Sequence, residues 1–229
     1  MSHGKQFTLY SHKAGFGPNG WKVAFLFEEL GLTYETVWLE FDKKQQKQSP
    51  HIDLNPNGRI PMDKYDKEGK FKLSNPNDKY RELQWLFFQA SGQGPYYGQA
   101  THFLFNHPVR VPTAAKHYLD EVKRVVSVLE SVLSKQEWLV GGKFGLADLA
   151  FFPWHDNAVR LMFAPGTDGL AKDAPHVHAW YERLKERPSI KKCWAEREEG
   201  VRASGIMEKV PTALQSIEDA SKPWPPVLF

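Results

Sequence analysis

The spacing of apolar residues changes period several times along the first forty residues. Residues 6–10 (Gln6, Phe7, Thr8, Leu9, Tyr10) are short, aromatic and β-branched, and a polar stretch follows, which predicts a strand. From 21 to 30, Trp21, Val23, Ala24, Phe25, Leu26, Phe27 and Leu30 leave few polar positions. That density predicts a mostly buried helix, with Gly31 as its stop. Residues 34–39 return to an aromatic, β-branched run and a second strand. Strand, helix and strand in this order predict a parallel pair.

Beyond residue 71 the pattern is helical only. Asn75 and Pro76 form a helix-start signal, cap and first turn. That helix is expected to run to about residue 90, where Ser91, Gly92, Gln93, Gly94 and Pro95 break it. From Pro112, apolar Leu119, Val122, Val125, Val126, Leu129, Val132 and Leu133 recur three and four apart, one face of a long helix. A strongly apolar helix is predicted over 145–163, bent at Pro153. Two amphipathic helices follow over 175–187 and 189–199, parted by Pro188 and ended by Gly200. The proline-rich tail from 210 onward is expected to be irregular. The fold class is therefore α+β: a small α/β domain at 1–70, an all-helical domain at 71–209 and a tail at 210–229.

Bulk properties narrow the function classes. With 229 residues, 41% of them hydrophobic, the chain can bury a substantial core. A net charge of +3 is spread among mixed signs without a run of like charges, so neither nucleic acid nor an anionic membrane is called for. One cysteine, Cys193, forms no internal disulfide and favours a reducing, cytoplasmic setting. Neither a signal core nor a membrane span is apparent. His176 and His178 are two apart, so they do not share a helical face. With no Cys-x-x-Cys and no phosphate-binding glycine loop, metal and nucleotide readings are poor.

Several separate blocks carry a resemblance. Leu54 to Pro61 (Leu-Asn-Pro-Asn-Gly-Arg-Ile-Pro) is a rigid loop in which prolines remove donors and fix φ. It resembles the loop before the third strand in the thioredoxin-like domain of glutathione transferases. Gln84 to Gln99 (beginning Gln84-Trp85-Leu86-Phe87-Phe88) resembles the first helix and turn of the helical domain in fungal glutathione transferases of the nitrogen-catabolite-regulator branch. Ser11 to Val23, with Gly17-Pro18-Asn19-Gly20-Trp21, is similar to their first active-site loop, and Glu137 to Gly142 and Ala147 to Ala150 to their buried capping segment. Within the first loop Phe16-Gly17 is an addition to the family pattern.

The resemblance implies glutathione as co-substrate, with no other cofactor, and a small hydrophobic electrophile as the second substrate. It also implies a homodimer. Catalysis then means stabilising a thiolate, by donors aimed at sulfur near a helix N-terminus. Asn19 is the implied donor. Read by itself it is a cap or turn asparagine, and the two roles are compatible. Ile60 would offer its main chain to the cysteinyl unit beside a cis Pro61, whereas pattern alone favours a trans proline in a turn. Lys47 and Arg59 are candidates for the glycyl carboxylate, or solvated surface charges. Trp85, Phe87, Phe88, Tyr96, Tyr97 and Phe103 either line an electrophile pocket or, more simply, form core. Asp148 occupies the acidic place of a capping box whose Ser or Thr is here Gly145, a folding role.

The chain departs from the family after Pro61. The Glu-Ser or Gln-Ser pair that clamps the γ-glutamyl group has no counterpart. Two strands, two turns and a helix of average length amount to roughly 25–30 residues. The third and fourth strands and third helix are therefore expected to be missing. Two alternatives to a conjugating enzyme follow: a non-catalytic binding or regulatory protein of this fold, or an inactive shortened form.

Overall fold

The structure, a computed structural model, describes residues 4–12, 17–40, 43–45, 48–49, 70–163 and 169–205. They form two compact units: those of Met1–Lys72 together with Glu186–Ser204, and those of Leu73–Lys185 together with Gly205. The predicted tail lies outside the described residues.

In the first unit, β1 (Phe7–His12) and β2 (Tyr34–Leu39) pair in parallel, with Phe7 opposite Tyr34 and His12 opposite Leu39. Between them runs α1 (Pro18–Glu29), which begins three residues earlier than the apolar run because Pro18 suits a first turn. It ends as Gly31 takes φ +64°: Leu32 N–H donates to Phe27 O and Gly31 N–H to Glu28 O, a Schellman stop. Phe27 stacks on Phe7 at 4.9 Å and lies 5.2 Å from Tyr34, tying helix to both strands. The last helix among the described residues, Pro188–Ser204, belongs to this unit and packs on α1.

That docking is held by a buried carboxylate. Glu29 accepts from Arg187 Nε and Nη2 at 2.8 and 2.9 Å, pairs with Lys70 at 3.1 Å and accepts from the Ser189 hydroxyl. Burial alone would raise its pKa, but the bonds from Arg187, Ser189 and Lys70 outweigh it and hold the carboxyl at about 2. Cys193, on the same terminal helix, is buried, and burial pushes its thiol up to about 12. It packs as a small hydrophobe.

The second unit is helical. Here α2 (Pro76–Phe88) starts as expected, with the Asn75 side chain accepting from Asn77 N–H at 2.9 Å. The expected break at residues 91–95 does not occur. A π-helical turn over Gln89–Gln93 leads straight into α3 (Gly94–Thr101), and a second such turn, His102–Asn106, continues it. Pro95 cannot donate to the residue four before it, and a widened turn accommodates that loss without ending the helix. Inside the turn Gln89 donates to Gln93, which donates to Phe151 O at 3.0 Å, so both buried amides are engaged.

Next come α4 (Pro112–Leu133), α5 (Leu146–Leu161, with Pro153 inside), the short α6 (Gly169–Asp173) and α7 (Pro175–Lys185). The α4 stripe is buried at Val122, Val125, Val126, Leu129 and Leu133. The α5 start lacks a capping side chain at Gly145, but Asp148 accepts from Gly145 N–H, Leu139 N–H and Trp180 Nε1–H, all at 2.9–3.0 Å. Burial pushes that carboxyl up to about 6 against the pull of these donors. On α4, Glu130 accepts from the N–H groups of His176 and Val177, capping α7. The terminal helix of the first unit, now α8 (Pro188–Ser204), does not stop at Gly200. It runs on to Ser204, and Gly205 at φ +64° closes it.

Candidate functional site

Of the candidate glutathione-site residues, the one that falls among the described residues is Asn19, in the first turn of α1. The end of β1 and the first turn of α1 approach each other more closely than most backbone segments can. A Cβ built on Gly20 would fall 2.2 Å from Ser11 Oγ, and one on Gly17 would fall 3.0 Å from His12 Cβ. A side chain at Gly20 would force Ser11 aside, whereas one at Gly17 would only crowd His12. The signal was present as Gly17-Pro18-Asn19-Gly20, but the partner side chains Ser11 and His12 were not readable from it.

Gly17 is the N-cap, extended at φ −66°, ψ 98°, with no capping side chain. Asn19 lies inside the first turn and is exposed, so the cap is not its place. That separates the two roles which the sequence left together. The first turn of a helix has backbone N–H groups without intrahelical acceptors and carries the positive end of the macrodipole. Asn19 carries its side-chain amide, a donor and acceptor, on that first turn.

Lys22, one turn further along α1, was not singled out by the sequence. Burial pushes its ammonium down to about 7, so near neutrality it is partly uncharged. Its spacing of three from Asn19 puts both on one side of the helix. Lys47, Arg59, Ile60 and Pro61 lie outside the described residues. Of the aromatic candidates, Tyr97 is wholly buried core in the helical unit and Phe87 is 71% exposed. Trp85 and Phe88 line a groove within that unit.

Residues 5–73 match the glutathione S-transferase N-terminal domain and residues 95–188 its C-terminal domain. Glutathione S-transferase 1 of Schizosaccharomyces pombe is 39% identical over 224 aligned positions, covering 84% of this chain and 96% of the relative. The glutathione transferase URE2P6 from Phanerochaete chrysosporium, solved in complex with oxidised glutathione, has 47% identity and a TM-score of 0.79. The match covers 87% of this chain and all of that one. Ure2p5 from the same organism, cocrystallised with 1-(S-glutathionyl)-2,4-dinitrobenzene, has 43% identity and a TM-score of 0.75, over 88% of this chain and 98% of that one.

These figures also measure the shortening. For the Schizosaccharomyces relative, 84% of 229 residues is about 192, so about 32 of the 224 aligned positions hold no residue of this chain. The deficit has the size expected for two strands and a helix. Only eight residues, Met62 to Gly69, separate Pro61 from Lys70, too few for those elements.

Proposed function

The chain belongs to the glutathione transferase family, and from that membership we propose that it transfers the thiolate of glutathione to small hydrophobic electrophiles. The observation that carries the reading is Asn19, exposed in the first turn of α1 and displaced from the cap by Gly17. A free thiol with a pKa of about 8.5 is only a few per cent ionised at neutral pH, so a donor and a helix terminus aimed at sulfur are what the reaction needs. In this reading Ile60 and Pro61 seat the cysteinyl main chain, and Lys47 and Arg59 meet the glycyl carboxylate. Glutathione is a co-substrate, so no resident cofactor is required. The protein acts as a cytoplasmic homodimer, with neither nucleic acid nor membrane as partner. Among the described residues no helix is long and apolar enough to cross a membrane.

Asn19→Ala tests the assignment. Steady-state kinetics with 1-chloro-2,4-dinitrobenzene should show kcat reduced more than glutathione affinity, because the lost interaction is with the anion. Unchanged kcat at saturating glutathione, with an unmoved pH profile, would remove Asn19 from the reaction.

A second reading, a protein of this fold that does not conjugate, is favoured by the deficit of about 32 aligned positions. The family's γ-glutamyl clamp falls in the segment that is absent. Two or three charge-assisted bonds at about 1.5–3 kcal/mol each would weaken glutathione binding by roughly two to four powers of ten. Calorimetric titration of the chain as it stands should therefore find weak or no binding, and a family-like hairpin and helix inserted after Pro61 should recover it. Tight binding without the insertion would mean that another group has replaced the clamp.

A further inference from the structure

The second π-helical turn of the helical unit sets two imidazoles side by side. In an α-helix, residues five apart lie about 140° from each other around the axis. Over His102–Asn106 the wider turn brings His107 back beside His102, and His107 N–H donates to His102 O at 2.8 Å. The two ring centroids lie 5.2 Å apart with their planes at 84°. Phe103 packs against both rings, stacked on His107 at 5.0 Å and edge-on to His102 at 5.2 Å. It stacks in turn on Tyr118 of α4 at 5.5 Å. Both imidazoles are thus braced, yet both stay partly open to solvent.

The His107 ring has an outer partner as well. Pro108 keeps His107 extended at φ −69°, ψ 129°, and the main chain of Val109 then meets His107 Nδ1. In one tautomer Val109 N–H donates to Nδ1 at 3.2 Å; in the other Nδ1–H donates to Val109 O. The second tautomer frees the Nε2 lone pair, and a backbone carbonyl on Nδ1–H is the usual outer partner of a metal-bound imidazole. Metal–nitrogen bonds of about 2.0–2.1 Å put the centroids of two imidazoles on one tetrahedral ion about 5 Å apart, the spacing of this pair. Among the described residues no third His, Cys, Asp or Glu completes a cluster with them, so the other coordination positions fall to water.

We propose that His102 and His107 together bind a divalent late first-row transition ion, copper(II) most tightly, with water in the remaining positions. Imidazole nitrogens suit copper, nickel and zinc, and copper heads the affinity order. Magnesium and calcium take oxygen ligands, which this pair does not offer. Both ligands belong to the helical unit, and the site is independent of the thiolate chemistry proposed for α1.

The test is a calorimetric titration of the full chain with copper(II) in a thiol-free buffer, with zinc(II) and magnesium(II) in parallel. Copper should bind the pair more tightly than zinc, and magnesium should not bind it. The double variant His102→Gln/His107→Gln should take up one copper ion fewer per chain, whatever other histidines bind. Each single variant should hold that ion about tenfold more weakly or worse, since even the loss of an outer partner costs about 10–100-fold. Should the double variant fail to fold, the singles carry the test, because each leaves one ring against Phe103. Pulsed electron paramagnetic resonance counts the ligands: the copper signal that the variants lose should couple to two imidazoles in the wild type. Equal copper uptake by wild type and double variant would overturn the proposal. So would coupling to one imidazole, the mark of histidines that bind separately.

Discussion

The two units solve the problem of stability by different means. The helical unit surrounds its core from many directions: Trp180, Tyr97, Phe105, Phe151 and Phe152 are fully buried, and Glu130 of α4 caps the start of α7. Among its described residues the first unit has two paired strands, one crossing helix and α8 from late in the chain. A two-stranded sheet has little stability by itself. Its cohesion leans on polar ties, above all Glu29 with Arg187, Lys70 and Ser189. The lesson is that the first unit joins segments far apart in sequence through one buried carboxylate beside an apolar core that includes Phe25, Ile190 and Val201.

Breaking that contact should have the largest effect. In Glu29→Gln the buried charge is lost while Arg187 and Lys70 keep theirs, at a cost of about 2–4 kcal/mol. Hydrogen exchange should quicken across residues 7–12 and 23–29 and stay slow across 122–133. The pH dependence has a definite sign. A carboxyl held at about 2 when folded, against about 4.5 when unfolded, stabilises fully above 4.5 and loses that contribution as pH falls toward 2. Wild-type protection of the first unit should therefore fade through this window, and the variant's should not. Equal loss of protection in both units would show that they unfold together, and the contrast would fail.

The helical unit has its own flaw, which sharpens the comparison from the other side. His155 on α5 is fully buried against Trp180 and Tyr181, and neither ring nitrogen has a hydrogen-bond partner among the described residues. Burial, with a smaller push from His178, lowers its pKa to about 4 although Asp156 opposes the shift. A folded state that excludes this proton loses stability as pH falls from 6.5 to 4. His155→Phe should gain about 1–2 kcal/mol at neutral pH by removing an unsatisfied polar group, and more at pH 5. Asp148 slopes the opposite way over part of this window, since its raised pKa favours the folded state as pH falls below about 6. It is common to both proteins, so the difference between their pH profiles isolates His155. A constant difference from pH 4 to 7 would show that the imidazole does not titrate as inferred.

How much could be read from the sequence follows the same division between local and distant causes. The strands, α1, the Asn75-Pro76 start and the α4 stripe depend on neighbours within a few positions, and periodicity exposed them. Gly94-Pro95 misled because a π turn absorbs the missing donor, and Gly200 because one helical glycine, at about 1 kcal/mol, is outweighed by buried neighbours such as Val201. Asn19 was legible as a motif, but its exclusion from the cap needed the backbone at Gly17. Glu29 carried no signal, because Arg187 is 158 residues away. A buried ion pair of that kind is written nowhere in local pattern.

The smallest predicted effect concerns the capping box with half its partners. Gly145 holds the N-cap of α5 at φ −142°, ψ −177°, extended backbone open to any residue. Asp148 already returns its bond to Gly145 N–H, but the cap has no side chain to accept from the first turn. A Cβ there would meet Glu82 Oε1 at 3.5 Å and Asp148 Oδ2 and Lys143 O at 3.9 Å, ordinary contact distances. Gly145→Ser therefore fits without displacement. It should stabilise the helical unit by about 0.5–1 kcal/mol, from the completed cap and a less flexible unfolded chain. In a thermal melt that is roughly 2–4 °C. Gly145→Ala supplies the control: it restricts the unfolded chain equally but caps nothing, and alanine is a poor N-cap. Serine should exceed alanine in midpoint, with the gain confined to exchange-protected amides of α5 and α7. If alanine matches serine, the gain is backbone entropy alone, and Asp148 already satisfies everything this helix start requires.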